Sequence, residues 1–150
     1  MADIVSKEKR SENMSAIKSK DTKPEVFFRK KLFALGLRYR KNSLVVFGHP
    51  DIFLPSYNTA IFVNGCYWHR HRDCKNAYTP KSRTDFWKEK FESNIKRDAQ
   101  VKEKLFLQTI KCLVVWECTV KRMMKDISFE EDIVKQVLDF LKSSDLYLEL

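Results

Sequence analysis

Potential metal ligands form the densest chemical cluster in this 150-residue sequence. Cys66, His69, His71 and Cys74 lie within nine residues, and Cys118 follows a later apolar segment. Thiolates and neutral imidazoles are ligands of tetrahedral zinc, so these five groups predict a zinc site with one ligand to spare. Side chains two positions apart face the same side of extended backbone and diverge in a helix. We expect one histidine to bind zinc and the other to act in catalysis, unless the thiols are incidental.

A carboxylate near this cluster offers a site for a second metal. Pro50-Asp51 opens a short apolar segment, and another, Thr59–Val63, follows a turn. A carboxylate at the end of one strand and beside another can hold Mg²⁺ through hard oxygen ligands. Asp51 would supply that carboxylate, and a histidine such as His69 would deprotonate water. The alternative is an aspartate that only forms the turn.

Large aromatic side chains lie beside these ligands. Tyr67 and Trp68 are adjacent in a loop that also contains Arg70 and Arg72, and Trp87 follows on a predicted helix. We expect that two adjacent rings cannot both face one core. The loop is then a DNA surface, on which aromatic rings stack on bases or wedge between them. The alternatives are that Trp68 packs under the zinc loop and that Trp87 belongs to a helix core.

Charged residues are unevenly distributed along the chain, whose formal net charge is +9. Residues 1–41 carry a net +7, residues 69–104 a net +5 and residues 126–150 a net −5. This asymmetry favours a polyanion on one face, with nucleic acid first among the candidates and a merely solvated surface as the alternative. A membrane is disfavoured, because no long apolar segment and no basic helix with a full apolar face are present.

The predicted elements are typical of one α/β domain. Thr22 and Glu25 form a capping box for the first helix, which Gly36 ends. The early strands can form a meander, and a long helix capped by Thr84 can cross over to a buried strand in which Cys112 packs. This arrangement is a mixed sheet with helices on both faces. The predicted segments are a short helical stretch at Asn13–Ser19, strands at Leu37–Lys41, Leu44–Phe47, Ile52–Leu54 and Thr59–Val63, a loop over 64–83, a helix over 85–108, a strand at Lys111–Trp116 and a helix at Ser128–Leu141.

Several motifs occur together over roughly residues 8–125. They are Arg10-Ser11-Glu12-Asn13-Met14-Ser15-Ala16-Ile17, Ser19-Lys20-Asp21-Thr22-Lys23-Pro24-Glu25, Gly48-His49-Pro50-Asp51, Ile61-Phe62-Val63-Asn64-Gly65-Cys66-Tyr67-Trp68-His69-Arg70-His71, Thr84-Asp85-Phe86-Trp87 and Val114-Val115-Trp116-Glu117-Cys118. In these motifs the sequence resembles the very short patch repair endonucleases, the Vsr family. The block Gly65-Cys66-Tyr67-Trp68-His69 is the most specific part of the resemblance.

The resemblance implies a fold and an activity. The fold is restriction-endonuclease-like, here a single domain over 21–150 with a basic DNA-contacting arm over 1–20 and a structural zinc site. The activity is Mg²⁺-dependent hydrolysis of one phosphodiester bond beside the thymine of a T·G mismatch that deamination of 5-methylcytosine has produced. This nick starts very short patch repair.

The resemblance also assigns roles to individual residues. Asp51 and the backbone carbonyl of Val63 would bind Mg²⁺, His69 would be the general base, and Glu25 would steady a water beside the metal. The zinc ligands would be Cys66, His71, Cys74 and Cys118. The residues that insert into DNA would be Tyr67, Trp68 and Trp87 from the major groove and Met14 from the minor groove.

Three departures from the family pattern are visible. Family members often have a histidine where this chain has Asn64. An amide does not transfer protons at neutral pH, so Asn64 would keep only an orienting or water-binding role in catalysis. His49 stands where an arginine is expected, and one residue more separates His71 from Cys74 than in some members.

The leading prediction is therefore a zinc-stabilised DNA mismatch nicking enzyme. The alternatives are a related nuclease that cuts a specific duplex sequence without a mismatch and a zinc-stabilised DNA-binding module without activity. The pair Asp51 and His69 favours an enzyme. The absence of an apolar leader in the first residues predicts a reducing compartment, the cytoplasm and its nucleoid. A monomer is expected because one nick needs one active site, and other mismatch-repair proteins are predicted partners.

Overall fold

A computed structural model describes residues 20–150. The predicted helical stretch Asn13–Ser19 and Met14 lie outside the described residues, as does the arm except for its last residue. The described chain forms, in order, α1 Lys23–Ala34, β1 Arg40–Lys41, β2 Ile52–Leu54, β3 Thr59–Asn64, α2 Thr84–Leu107, β4 Lys111–Trp116, α3 Glu117–Met123, α4 Ile127–Lys142 and β5 Tyr147–Glu149. No helix within residues 20–150 is both long and apolar enough to cross a membrane.

The strands form one mixed sheet in the order β1-β2-β3-β4-β5. The pairs β1–β2 and β2–β3 are antiparallel, whereas β3–β4 and β4–β5 are parallel. Ile61 in the centre of β3 pairs with Ile52 on one side and with Leu113 on the other. The parallel pairing of β3 and β4 requires a crossover, and α2 supplies it, which confirms the predicted α/β fold.

Helices cover both faces of the sheet because side chains alternate along each strand. Ile61 and Leu113 point into the larger core, which α1, α3 and α4 complete. Ala60 and Cys112 point the opposite way, toward Leu105 of α2. Cys112 is buried there, as predicted for a packing residue.

The first helix follows its predicted start and stop signals. The side chain of Thr22 accepts a hydrogen bond from the Glu25 amide at 3.4 Å, and Pro24 lies in the first turn. Gly36 has a φ of +85° just after the helix, a backbone conformation that glycine adopts at little cost. These signals place Glu25 in the first turn of α1, beside the sheet.

Three predicted boundaries are wrong. Leu44–Phe47 is no strand, because only Val46 turns inward to pack against α2, while Leu44 and Val45 are 78% and 90% exposed. The predicted strand Leu37–Lys41 shrinks to its last two residues, the ones that pair with β2. Thr84 does not cap α2, since the capping position is Arg83 in a left-handed conformation and its side chain makes no capping hydrogen bond.

Two short elements were not predicted. Helix α3 begins directly after β4, so Cys118 lies in its first turn. Strand β5, in the acidic C-terminal region, extends the sheet beside β4. Both elements border the site described next.

Candidate active site

A groove of about 1390 Å³ runs between α1, the ends of β3 and β4, and α2. It brings together residues that lie far apart in the sequence. The predicted site residues that line it are Glu25, Asp51, Val63, Asn64, Tyr67, Trp68, His69 and Trp87. The predicted zinc ligands form a separate cluster and do not line the groove.

Asp51 lies just before β2, where its carboxylate meets the next strand. The Val63 amide donates a hydrogen bond to its Oδ2 at 2.7 Å. Burial, followed by the negative charge of Glu25, raises the pKa of Asp51 from 3.8 to about 7. Both effects disfavour the ionised form of Asp51. A divalent cation would offset them, because it supplies positive charge and prefers oxygen ligands. The pair of carboxylates therefore fits a hard metal ion. The amide of Val63 contacts Asp51, and the role of the Val63 carbonyl as a ligand stays a prediction.

Glu25 is buried and held by its neighbours. Its Oε2 accepts a hydrogen bond from the Asp21 amide at 2.9 Å and lies 3.6 Å from Nη1 of Arg29. Arg29 is itself buried and donates through Nη2 to Oδ1 of Asp21 at 2.8 Å. Burial raises the pKa of Glu25. The buried guanidinium thus gives two closely spaced carboxylates a fixed countercharge, a contribution that we did not predict.

His69 is paired with an aspartate that sequence reasoning missed. Its Nδ1 lies 2.7 Å from Oδ2 of Asp98 on α2. With Nδ1 protonated and donating to this carboxylate, Nε2 keeps the lone pair that can accept a proton. Asp98 is one of six acidic residues among residues 69–104 and lies 29 positions from His69, so no local pattern marks it.

Asn64 is the last residue of β3 and is buried at the groove wall. It pairs in register with Trp116, the last residue of β4. A neutral amide at this position can bind or orient water but cannot relay a proton.

The four predicted zinc ligands do meet. One ligand atom from each of Cys66, His71, Cys74 and Cys118 lies within 4.8 Å of all the others. Bond lengths of about 2.0–2.3 Å to a central zinc would place tetrahedral ligands roughly 3.5–3.8 Å apart, so a small inward movement completes a site. Burial raises the pKa of Cys66 to about 12, and a metal ion would offset this by stabilising the thiolate. The cluster can hold a metal such as zinc.

The two histidines of the loop, His69 and His71, face different parts of the structure. His71 joins the thiols, with Nδ1 3.4 Å from the sulfur of Cys118, while His69 turns toward α2. Burial lowers the pKa of His71, which keeps the imidazole neutral as a metal requires. Its ring stacks on Trp116 with 4.2 Å between centroids, and the Trp116 indole donates to Glu149 of β5 at 2.7 Å. The C-terminal strand therefore supports the Cys/His cluster.

Aromatic rings form a second cluster on the loop side of the groove. The Tyr67 ring lies at its centre, with ring centroids 5.0 Å from Trp68, 5.7 Å from Trp87 and 5.3 Å from Phe91. As expected, Tyr67 and Trp68 do not both face one core, and instead they contact each other in this cluster. A turn, unlike a strand, lets adjacent side chains point into the same cluster. Tyr67, Trp68 and Trp87 are each half-buried, so they belong to a surface cluster outside both sheet cores.

Arginine side chains in this loop differ in their roles. Arg72 is exposed, as expected of a DNA surface. Arg70 instead turns into the loop, where its guanidinium carbon lies 3.9 Å from the centroid of the Phe91 ring. Other cations line the groove, among them Lys81, Arg97 and Lys102. The acidic α4 packs on the face of the sheet opposite α2, and the basic α1 lies on the same face as α4.

A family model and several known proteins are similar to this chain. The family model, described as DNA mismatch endonuclease Vsr, matches residues 2–76. Type II nicking enzyme V.NmeAIP of Neisseria meningitidis serogroup A is 48% identical over 121 residues, 81% of this chain and 86% of the relative. Type II nicking enzyme V.XorIIP of Xanthomonas oryzae is 36% identical over 139 residues, 93% of this chain and 98% of the relative. DNA mismatch endonuclease Vsr of Escherichia coli is 37% identical over 121 residues, 81% of this chain and 77% of the relative.

Proposed function

Because this chain belongs to the DNA mismatch endonuclease Vsr family, we propose that it nicks one strand of duplex DNA beside the thymine of a T·G mismatch. Membership makes it a DNA endonuclease, a hydrolase that cleaves phosphodiester bonds of DNA. The proposal adds the mismatch that follows 5-methylcytosine deamination, the dependence on Mg²⁺ and the start of very short patch repair.

One observation carries the proposal. A single groove contains a buried and a half-buried carboxylate, Glu25 and Asp51, together with a His–Asp pair and a cluster of half-buried aromatic rings. The first two sets suit phosphodiester hydrolysis, and the third suits contact with unstacked bases. A pure binding module has no use for the hydrolytic sets.

His69 is the proposed general base. Because Asp98 accepts from Nδ1 at 2.7 Å, Nε2 is the nitrogen that takes a proton from the attacking water. The Asp98 carboxylate then stabilises the imidazolium that forms. The water oxygen bonds to phosphorus, the bond to the leaving deoxyribose oxygen breaks, and that oxygen is protonated from solvent.

Asp51 and the backbone carbonyl of Val63 are the proposed ligands of a catalytic Mg²⁺. When bound, this ion supplies positive charge against the charge that develops on the phosphate. Glu25 holds water at the edge of this site, and Asn64 orients water within it. The proposed structural zinc is held by Cys66, His71, Cys74 and Cys118 and ties the loop after β3 to the first turn of α3.

Tyr67, Trp68 and Trp87 are the proposed intercalating residues, together with Met14 of the arm. A mispaired step is cheaper to unstack than a paired step, so insertion of rings favours the mismatch. The substrate is thus double-stranded DNA with a T·G pair. A monomer acting on the nucleoid, with other mismatch-repair proteins as partners, stays a prediction.

A nicking assay on two duplexes tests this function. The duplexes carry randomised flanking bases and differ only in a central T·G or C·G pair, and each strand has its own label. We expect a nick in the thymine strand of the mismatched duplex, and only with Mg²⁺. Equal cleavage of both duplexes would identify a nuclease that needs no mismatch, and binding without cleavage would identify a DNA-binding module.

A further inference from the structure

Tyr78 continues the aromatic cluster toward solvent. It lies in the loop between the Cys/His cluster and α2, and 59% of its surface is exposed. Its ring centroid lies 5.1 Å from that of Tyr67, and it lines the same groove as Asp51 and His69. An exposed ring fixed beside other rings offers a flat face on which a base can stack.

Arg70 fixes the loop that carries this ring. Its guanidinium donates to the carbonyl oxygens of Tyr67 at 3.2 Å, Tyr78 at 3.0 Å and Ala77 at 2.7 Å. It also donates to the Thr79 hydroxyl at 3.2 Å. Its planar face covers the Phe91 ring, with the guanidinium carbon 3.9 Å from the ring centroid. These contacts join the backbone of Tyr67 to the backbone of Tyr78.

The backbone conformation of Arg70 also indicates that its side chain fixes the loop. Its φ of +56° lies in the left-handed region, which a residue with a β-carbon occupies at a cost. The side-chain contacts offset that cost. A lysine could not reproduce them, because a single ammonium lacks both the planar fork and the face that stacks on an aromatic ring.

We propose that Tyr78 is a further DNA-contacting residue that stacks on a nucleobase next to the mismatch, and that Arg70 is its positioning residue. This inference rests on the proposed function, since it extends the same recognition surface. Arg70 is engaged inside the loop and therefore contributes to mismatch recognition without contacting a phosphate.

Binding of the zinc-loaded protein to the T·G and C·G duplexes, with Ca²⁺ replacing Mg²⁺ to prevent cleavage, tests Tyr78. Loss of a stacking partner weakens binding roughly five- to a hundredfold, so Tyr78→Ala should lose at least about fivefold in affinity for the T·G duplex. Tyr78→Phe should bind like wild type because it keeps the ring. Tyr57→Ala is the matched control, since Tyr57 is also exposed but lies in the turn between β2 and β3, outside the groove.

The salt dependence of binding separates the two possible roles of Arg70. A phosphate contact contributes about one unit to the slope of log affinity against log salt concentration. Arg70→Ala should lower T·G affinity as Tyr78→Ala does while leaving that slope unchanged, and the double variant should lose little more than either single variant. Arg70→Lys keeps the charge and should show the same loss. Fluorescence of 2-aminopurine beside the mismatch should fall in all four of these variants, because the base remains stacked in the duplex.

The binding measurements decide the roles of Tyr78 and Arg70 separately. Affinity of Tyr78→Ala within twofold of the Tyr57→Ala control would overturn the role of Tyr78. A fall of about one in the salt slope for Arg70→Ala, or full rescue by lysine, would make Arg70 a phosphate contact instead. If Arg70→Ala does not fold, Tyr78→Ala and Arg70→Lys still give the answer. Wild-type protein that does not distinguish T·G from C·G would refute the proposed function itself.

Discussion

The two sides of the groove hold their residues by different means. On the sheet side, Asp51 adjoins β2, and the main chain of β3 binds its carboxylate. On the loop side, residues 65–83 form turns without a helix or strand, and side-chain contacts attach them to the rest of the domain. Asn94 of α2 donates to the Trp68 carbonyl at 2.9 Å, Asp98 holds His69, and the Cys/His cluster brings the loop against the first turn of α3. Binding of the catalytic metal should thus depend on the sheet side, whereas recognition and the positioning of His69 depend on side-chain contacts that a single substitution can remove.

The largest effect is expected on the sheet side. Asp51→Asn removes the charge proposed to hold Mg²⁺ but keeps the shape of the side chain. Loss of several kcal/mol of transition-state stabilisation should slow nicking at least about a hundredfold. A single-turnover nicking assay on T·G duplex measures this, and retention of more than a few per cent of the rate would contradict the assignment.

A somewhat smaller effect should follow on the loop side, at the aspartate that positions His69. Asp98→Asn keeps the size of the side chain but no longer favours the protonated imidazole of His69. We expect nicking to slow roughly ten- to a thousandfold with DNA affinity nearly unchanged. Asp85→Asn, on the first turn of the same helix, is the control. An unchanged rate for Asp98→Asn would remove His69 from the role of an oriented base.

Breaking the metal cluster should affect stability. Cys66→Ser, Cys74→Ser or Cys118→Ser should each release the metal and lower the melting temperature by about 10 °C, which corresponds to roughly 4 kcal/mol for a chain of this size. Cys112→Ala is the matched control, because Cys112 is buried in β4 outside the cluster. Elemental analysis should find one zinc per wild-type chain, and folded protein without zinc would refute the site.

A smaller effect should appear in the pH dependence of stability. The pKa of Asp51 is 3.8 ordinarily and about 7 in the folded protein. Between these values the folded state binds more protons, so its free energy of unfolding should fall as pH rises from about 4 to about 7. Asp51→Asn removes this contribution. The titration of the zinc ligands affects the free energy of unfolding of both proteins equally, so it drops out of the difference between them. Denaturant titrations of both between pH 5 and 8 without Mg²⁺ give the free energy of unfolding of the variant minus that of wild type. This difference should grow as the pH rises, and a difference that shrinks toward pH 8 would have the wrong sign.

The sheet side was largely predictable from the sequence because its signals are local. Apolar runs at Ile52–Leu54 and Lys111–Trp116 are bounded by turn residues, and the capping box fixes where Glu25 lies. The predicted zinc set also assembles, since three of its four members share one loop. The resemblance to the Vsr motifs, rather than periodicity, assigned His71 and not His69 to this zinc set.

The remaining features depend on contacts between distant positions. Asp98 and Glu149 look like ordinary surface acids until folding brings them to His69 and Trp116. Leu44–Phe47 has the composition of a strand, but its backbone finds no partner strand and Val46 packs alone. The inward turn of Arg70 is equally invisible, because it requires knowledge of where residues 77–79 lie.

Recognition is thus assigned to the loop side of the groove, and metal binding to the sheet side. Binding of two variants to the T·G and C·G duplexes, with melting temperatures measured on the same samples, tests this assignment most directly. Asp51→Asn should keep the wild-type preference for T·G. Trp68→Ala should keep its zinc and its melting temperature but lose roughly five- to a hundredfold of that preference. If Trp68→Ala instead melts far lower and keeps the preference, or if Asp51→Asn loses the preference as well, recognition does not reside in the loop and the account is wrong.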